Sequence, residues 1–326
     1  MDMPAASQRD AEPQLAVDEN HDTDDRSEVI SSIASSSTSL RSSLKDYREE
    51  NGRTYHTYKD GKYNLPNDER EKDRLDFQHQ MWLLALKDRL GVAPPCKENT
   101  RVGRVLDVGT GTGIWALNFG DEHPEAEVYG VDLSPTQPDL VSPNVIFEID
   151  DVEETWTWKQ PFDYIHSRIM TSSIGNWPLY LRQCYDNLKP GGYIELQEID
   201  IVPRSDDGTI TADTPLMKMC TLLVEASEKF GRPFMEIPTL QGLLSDAGFV
   251  DISMIVHKWP SNTWPKDPRF KHLGLWQNEN MQSGLEAFSM APLTRGHGWT
   301  RAEVEVFLIQ VRKDLNNKAI HAYWPS

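Results

Sequence analysis

The twelve residues 105–116, VLDVGTGTGIWA, decide how the rest of the chain is read. A run of strand formers from Val105 to Val108 meets glycine at every second position: Gly109, Gly111 and Gly113. Glycine weakens the interior of a strand or a helix, so three of them imply a tight turn that a ligand approaches closely. A dinucleotide site of the form G-x-G-x-x-G needs glycine where this chain has Ile114, and a phosphate loop needs a Gly-Lys-Ser/Thr that is absent. What remains is D-x-G-x-G-x-G, headed by Asp107. This turn has no extra glycine to admit a pyrophosphate, and it suits a nucleoside that carries a cationic amino-acid arm.

Outward from the turn, strand and helix patterns alternate. RVLDVG, EVYGVDLS, VIFEIDD, FDYIHSRI, PGGYIELQEIDIVP and VDISMIVHKWP read as six strands, with short helical stretches such as IWALNFGDEH and WPLYLRQCYDNLK between them. That alternation predicts βαβ units: a Rossmann-like α/β fold whose mostly parallel sheet has helices on both faces. Ligands of such sheets bind at the carboxyl ends of the strands, where the strand order reverses. Asp132 closes the second strand, where a carboxylate accepts hydrogen bonds from both hydroxyls of a ribose. Asp150 and Asp151 end the third, where one carboxylate takes an adenine amino group. Turn, ribose acid and adenine acid arrive in order on three successive strand ends.

The 326 residues divide into three stretches. Residues 1–45 read as a disordered acidic, serine-rich tail with almost nothing to bury. Residues 46–100 read as a turn-rich segment and a helix, opened by Asp68 and Glu71 as a capping-box-like pair and carrying Leu75, His79, Trp82, Leu86 and Leu90 on one face. His79 there either serves a site or packs in the helix interface. Residues 101–326 form the main domain, with a helical insert near 211–231 and helices near 268–290 and 300–320. The net charge is −18, and residues 1–28 hold nine acidic and two basic side chains, which leaves −11 on the remainder. No basic footprint for nucleic acid is visible, so no direct nucleic-acid contact is expected. No apolar run approaches a membrane span, and the acidic N-terminus has no secretory core. Cys96, Cys184 and Cys220 lie far apart without metal spacing, so they read as buried reduced thiols and no metal is expected.

The glycine turn, VDLSP, FEIDD, FDYIHSR and LKPGGYIELQEID together resemble the class I S-adenosylmethionine-dependent methyltransferases. More narrowly, ENGRTYHTYKDGKYNLPNDEREKDRLDFQH and the closing NNKAIHAY resemble the fungal LaeA-like methyltransferases, which include regulators of secondary metabolism and tailoring enzymes of biosynthetic clusters. The resemblance implies S-adenosyl-L-methionine as cofactor. It implies the methionine arm at Asp107 and along Gly109, Thr110, Gly111 and Gly113, the ribose at Asp132 and Leu133, and the adenine near Asp150 and Asp151. It also implies a final antiparallel strand. The chain stops at HAYWPS, and six residues including Pro325 look too few to form that strand, so its absence is expected, with a looser acceptor side.

Methyl transfer from a sulfonium is an in-line displacement, so the protein chiefly supplies proximity and orientation. A weakly acidic acceptor also needs a base. His166 is the best candidate by intrinsic pKa, although a histidine packed over the cofactor is an equal reading. Arg168, Glu195, Glu198 and Asp200 stand near the same strand ends. Tyr164, Trp156, Trp158 and Trp177 either wall a pocket for a flat natural product or pack in the core. Two readings stand: an enzyme methylating a small-molecule acceptor, or a regulator acting through velvet-type protein partners. The missing basic import signal favours the first, in the cytoplasm, with the nucleus as the alternative.

Overall fold

In a computed structural model of the chain, residues 9–11, 14–18, 47–56, 58–59 and 61–326 are described. Their elements run in the order β1 (Arg9–Ala11), β2 (Arg48–Glu50), β3 (Arg53–Tyr55), α1 (Glu69–Ala85), β4 (Arg104–Val108), α2 (Ile114–Glu122), β5 (Glu127–Asp132), β6 (Val145–Ile149) and β7 (Phe162–Arg168). Then follow α3 (Trp177–Asp186), β8 (Leu188–Gln197), α4 (Pro215–Lys229), α5 (Leu240–Ala247), β9 (Met254–Val256), β10 (Lys258–Pro260), α6 (Pro268–Ala291), α7 (Arg301–Asn316) and β11 (Tyr323–Pro325). Five strands form one parallel sheet in the order β6-β5-β4-β7-β8, with β4 at its centre. The first strand of the chain therefore lies at the reversal point, where β4 meets β5 on one side and β7 on the other.

The period of two along each strand decides which helix it meets. Val105, Val128, Val145 and Tyr164 pack with Trp115, Ala116 and Phe119 of α2 on one face. Leu106, Val108, Val131 and Ile165 pack with Trp177, Tyr180 and Leu181 of α3 and with Leu240 of α5 on the other. Central parallel strands covered on both faces read as near-continuous apolar runs, as RVLDV does. Asp107 breaks that run on the α2 face. A third cluster joins α1, α4, α6 and α7 around Trp259 and Trp324. The Asp68 side chain caps α1 by accepting from Glu71 N–H, as the sequence pattern implies.

Two expectations change. The sixth strand does not join the sheet: the segment breaks at His257 into β9, which pairs with β1, and β10, which pairs with β11. Its outer residues Val250 and Ile255 stay exposed, so little apolar surface draws it inward. The terminal strand, expected to be missing, is present in short form. Tyr323–Pro325 runs antiparallel to Lys258–Pro260, while Asp200 N–H donates to Pro325 O at 2.9 Å and Arg204 N–H to Tyr323 O at 2.8 Å. Thus β11 lies between β10 and the chain continuing from β8. Pro325 serves as an acceptor there, so its missing N–H forfeits nothing. Of the 1–45 tail, residues 9–11 and 14–18 are held against the chain near 254–266, with Asp18 N–H donating to Trp264 O and Lys266 N–H to Ala16 O; the rest of that expectation lies outside the described residues. No helix among the described residues is long and apolar enough to cross a membrane.

Trp324 is 3% exposed and packs in the cluster that holds Trp259. Trp324→Ala is expected to lower the free energy of unfolding by about 3–5 kcal/mol, the usual loss for emptying a large aromatic site. Urea denaturation checks this; a midpoint equal to that of the parent chain would show that β11 is ornamental.

Candidate functional site

The glycine turn is built the way its spacing demands. Gly109, Gly111 and Gly113 have φ of +68°, +58° and +82°, the left-handed region that side chains with a Cβ avoid. A Cβ at Gly113 would stand 2.4 Å from the Phe147 ring, while one at Gly111 would meet only Leu75 at 3.6 Å and would fill open space instead. Gly109 and Thr110 N–H both donate to Val131 O, and Gly111 N–H donates to Asp132 Oδ2 at 2.9 Å. The turn is therefore anchored on the neighbouring strand end, with its open side toward a cavity.

Asp107 lies beneath that turn, 2% exposed, with both oxygens engaged. Thr110 Oγ1 donates to Oδ2 at 2.6 Å, and His166 Nδ1 meets Oδ1 at 2.7 Å. Asp107 and His166 are register partners on β4 and β7, so the contact follows from the sheet itself. The His166 ring stacks on Trp115 with centroids 3.8 Å apart and planes 4° apart, and its Nε2 is buried with no hydrogen-bond partner. Nδ1 is thus taken up by the carboxylate, and Nε2 is the ring nitrogen left over.

Asp132 accepts Gly111 N–H on Oδ2 and Ser134 N–H on Oδ1, the latter at 2.9 Å. Burial raises its pKa, and the two backbone N–H groups oppose that shift. A carboxylate has about four acceptor sites, so two remain. Leu133 and Thr110 line the same cavity. Asp150 is exposed at its edge and accepts Asp151 N–H, whereas Asp151 is buried in an ion pair with Lys62.

The residues 62–67 and α1 form a roof that the sequence pattern did not assign to the site. Lys62, Tyr63, Asn67, Glu71, Arg74, Leu75, Gln78 and His79 all line the cavity. Arg74 donates to Glu71 at 2.7 Å and to Asn280 of α6 at 2.9 Å, and its guanidinium covers the Phe288 ring at 4.8 Å. Thr112 Oγ1 donates to Asp76 at 2.5 Å, which ties the glycine turn to α1. His79 Nδ1 meets Arg168 Nη1 at 3.0 Å, and its Nε2 meets the Asn118 amide at 2.9 Å. Burial and the facing Arg168 and His166 pull its pKa down to about 3, so the ring is neutral. Nδ1 faces the Arg168 donor, and Nε2 faces the Asn118 side-chain amide.

The other acids are committed to backbone. Glu195 accepts from Val92 and Ala93 N–H and from the Tyr164 hydroxyl. Glu198 accepts from Met170 N–H at 3.0 Å, and burial pushes its pKa up to about 8. It thereby holds the turn after Ile169, a β-branched residue at φ +54°. Asp200 pairs with Arg204. Tyr164 and Trp177 are core residues, and Trp156 and Trp158 pack against the α3 face; none of the four lines the cavity, which takes its aromatic walls from Tyr63, Trp115 and Phe288.

A doubly wound sheet with a glycine turn, a strand-end carboxylate at Asp132 and a cavity between them is the architecture of a nucleoside-cofactor transferase. Comparison with known proteins specifies the family: residues 77–254 match a methyltransferase domain, and the chain belongs to the methyltransferases with S-adenosyl-L-methionine as methyl donor. It is 45% identical over 289 residues to the methyltransferase pytC of Aspergillus terreus, covering 88% of each chain. It is 43% identical to the secondary metabolism regulator LAE1 of Cochliobolus heterostrophus over 84% of this chain and 91% of that one. It is 35% identical to the protein-methionine methyltransferase laeA of Emericella nidulans over 87% and 76%. The LaeA-like resemblance read from the sequence therefore holds.

A histidine whose pKa falls on folding binds fewer protons in the native than in the unfolded chain. Its contribution is present above about 6.5 and is lost as pH falls toward about 3. His79→Gln is expected to lose less stability than the parent chain between pH 7 and pH 5. Urea midpoints at the two pH values measure this; equal losses would mean that His79 titrates normally.

Proposed function

We propose that the protein methylates a small molecule in fungal secondary metabolism, with the cofactor held by the glycine turn and the two following strand ends. The observation that carries this reading is the order of Gly109–Gly113, Asp132 and Asp150 on successive strand ends around one cavity. The residues suit the group. Gly111 leaves space where a Cβ would intrude, Asp132 keeps two acceptor sites for ribose hydroxyls, and Asp150 offers its carboxylate to the adenine amino group. Leu133 adds an apolar wall beside Asp132, and Asp151 and Lys62 close the adenine end. Asp107 acts through Thr110 and His166, which take up both its oxygens.

When bound, the cofactor supplies an activated methyl group for in-line displacement. His166 Nε2 is the proton acceptor: Asp107 fixes the tautomer, Trp115 fixes the ring plane, and Nε2 has no protein partner. The roof of α1 and residues 62–67, with Phe288, limits the acceptor to what fits beneath it. Relatives named as methyltransferases, pytC among them, support the enzyme reading, and the similarity to the regulator LAE1 keeps a regulatory role as the second one. The net charge of −18 speaks against direct nucleic-acid binding in either.

Asp132→Ala removes up to two charge-assisted hydrogen bonds, each worth about 1.5–3 kcal/mol. Affinity for S-adenosylhomocysteine should fall at least about tenfold by calorimetry. An unchanged dissociation constant in a folded variant sinks the cofactor assignment. His166→Asn, which keeps an N–H for Asp107 and removes Nε2, should keep that affinity and lose about a hundredfold or more in turnover, the usual scale of general-base catalysis. Full turnover in the variant would remove His166 from the chemistry. Metabolite profiles with and without the gene test the acceptor: one compound lacking one methyl supports the enzyme, and collapse of many compound families supports the regulator.

A further inference from the structure

Arg168 ends β7 and lines the cavity beside His166. Its Nε–H donates to Gln197 Oε1 at 2.9 Å and its Nη1 to His79 Nδ1 at 3.0 Å. Nη2 is buried with no hydrogen-bond partner. Among the described residues no carboxylate pairs with this guanidinium. The acids that act on it from a distance are Asp107 and Glu195. Asp107 is committed to Thr110 and His166, and Glu195 to Val92, Ala93, Tyr164 and Gln197. The remaining neighbours are neutral: His79, and Trp82 with its ring 5.1 Å away. Burial lowers the Arg168 pKa to about 10, which leaves it cationic at neutral pH.

A guanidinium has five N–H donors in a planar fork, and here only two reach an acceptor. A buried charge without a counter-ion is unfavourable, and arginine forks match carboxylates bidentately. We propose that Arg168 binds a ligand carboxylate in this cavity. Two ligands could bring one: the amino-acid arm of the cofactor, whose turn adjoins β7, or an acidic acceptor beneath α1. The inference rests on reading the cavity as the cofactor and acceptor pocket. His79 is a positioning residue, since its neutral ring holds the Arg168 fork without competing as a cation.

Calorimetry on the full chain and on Arg168→Gln and Arg168→Lys, each checked for an unchanged melting temperature, tests this with three probes. S-adenosylhomocysteine carries the carboxylate, 5′-methylthioadenosine lacks the amino-acid arm, and benzoate is a free carboxylate added with and without S-adenosylhomocysteine. If the cofactor supplies the anion, Arg168→Gln loses about tenfold or more for S-adenosylhomocysteine and nothing for 5′-methylthioadenosine, and Arg168→Lys recovers part of the loss. If the acceptor supplies it, nucleoside affinities are unchanged, and benzoate binds the parent chain but not Arg168→Gln. Equal loss for both nucleosides marks a structural role and overturns the proposal. So does a variant that treats all three probes as the parent does. Failure of the parent chain to bind S-adenosylhomocysteine would instead overturn the reading of the pocket, and benzoate on the free protein would still decide the role of Arg168.

Discussion

One buried carboxylate sets the geometry on which the site depends. Asp107 interrupts an otherwise apolar central strand, and a lone charge there would be strongly unfavourable. It is tolerated because the sheet register places His166 opposite it and the glycine turn returns Thr110 to its second oxygen. The same two contacts fix the turn and the histidine ring relative to each other. The Trp115 stack then leaves the ring one free atom, Nε2. Removing one partner would leave the carboxylate half-satisfied, the more damaging case for a buried polar network.

A second set of contacts joins this floor to its roof. Thr112 to Asp76, His79 to Asn118, and Lys62 to Asp151 each cross from the sheet side to the N-terminal segment or α1. Arg53 to Asp68 fixes where that helix begins. The exposed pairs of the surface, such as Arg182 with Asp186, add little by comparison because water and salt screen them. Lys62, His79, Thr112 and Asp151 line the cavity, so these contacts hold its roof against its floor.

The parallel sheet was legible because its signals are local. Glycine spacing, apolar runs and strand-end acids are read within a few residues of one another, and all five sheet strands fall where the alternation puts them. The roof was not, because its residues gain meaning only when a helix some thirty positions upstream folds over the turn, as Asp76 does over Thr112. His79 was visible as a histidine on a helix face, but its partner Arg168 could not be read from any spacing. Asp151 looked like an adenine acid, and Lys62, which engages it, carried no pattern. Of the two roles open to the aromatic residues, the structure takes the core one: Trp156, Trp158 and Trp177 are near the site in sequence and pack on the opposite face of the sheet.

The chain's end illustrates how a short segment can do the work of a longer one. Counting residues after His321 suggests too little chain for a strand, and counting N–H groups suggests that Pro325 spoils it. Both counts treat β11 as a ladder member that must be paired along its whole length. In the structure it is a three-residue wedge, bonded by Asp200 and Arg204 on one side and by β10 on the other, with Trp324 driven into the helical cluster. That cluster contains α1 and α6, which carry the cavity roof and Phe288. The terminal residues therefore bear on the cavity roof through the packing of helices, where an argument from unpaired strands would have placed their effect on β7 and β8. A buried indole ring and a few backbone hydrogen bonds thus hold together β10, the chain end and the segment that follows β8.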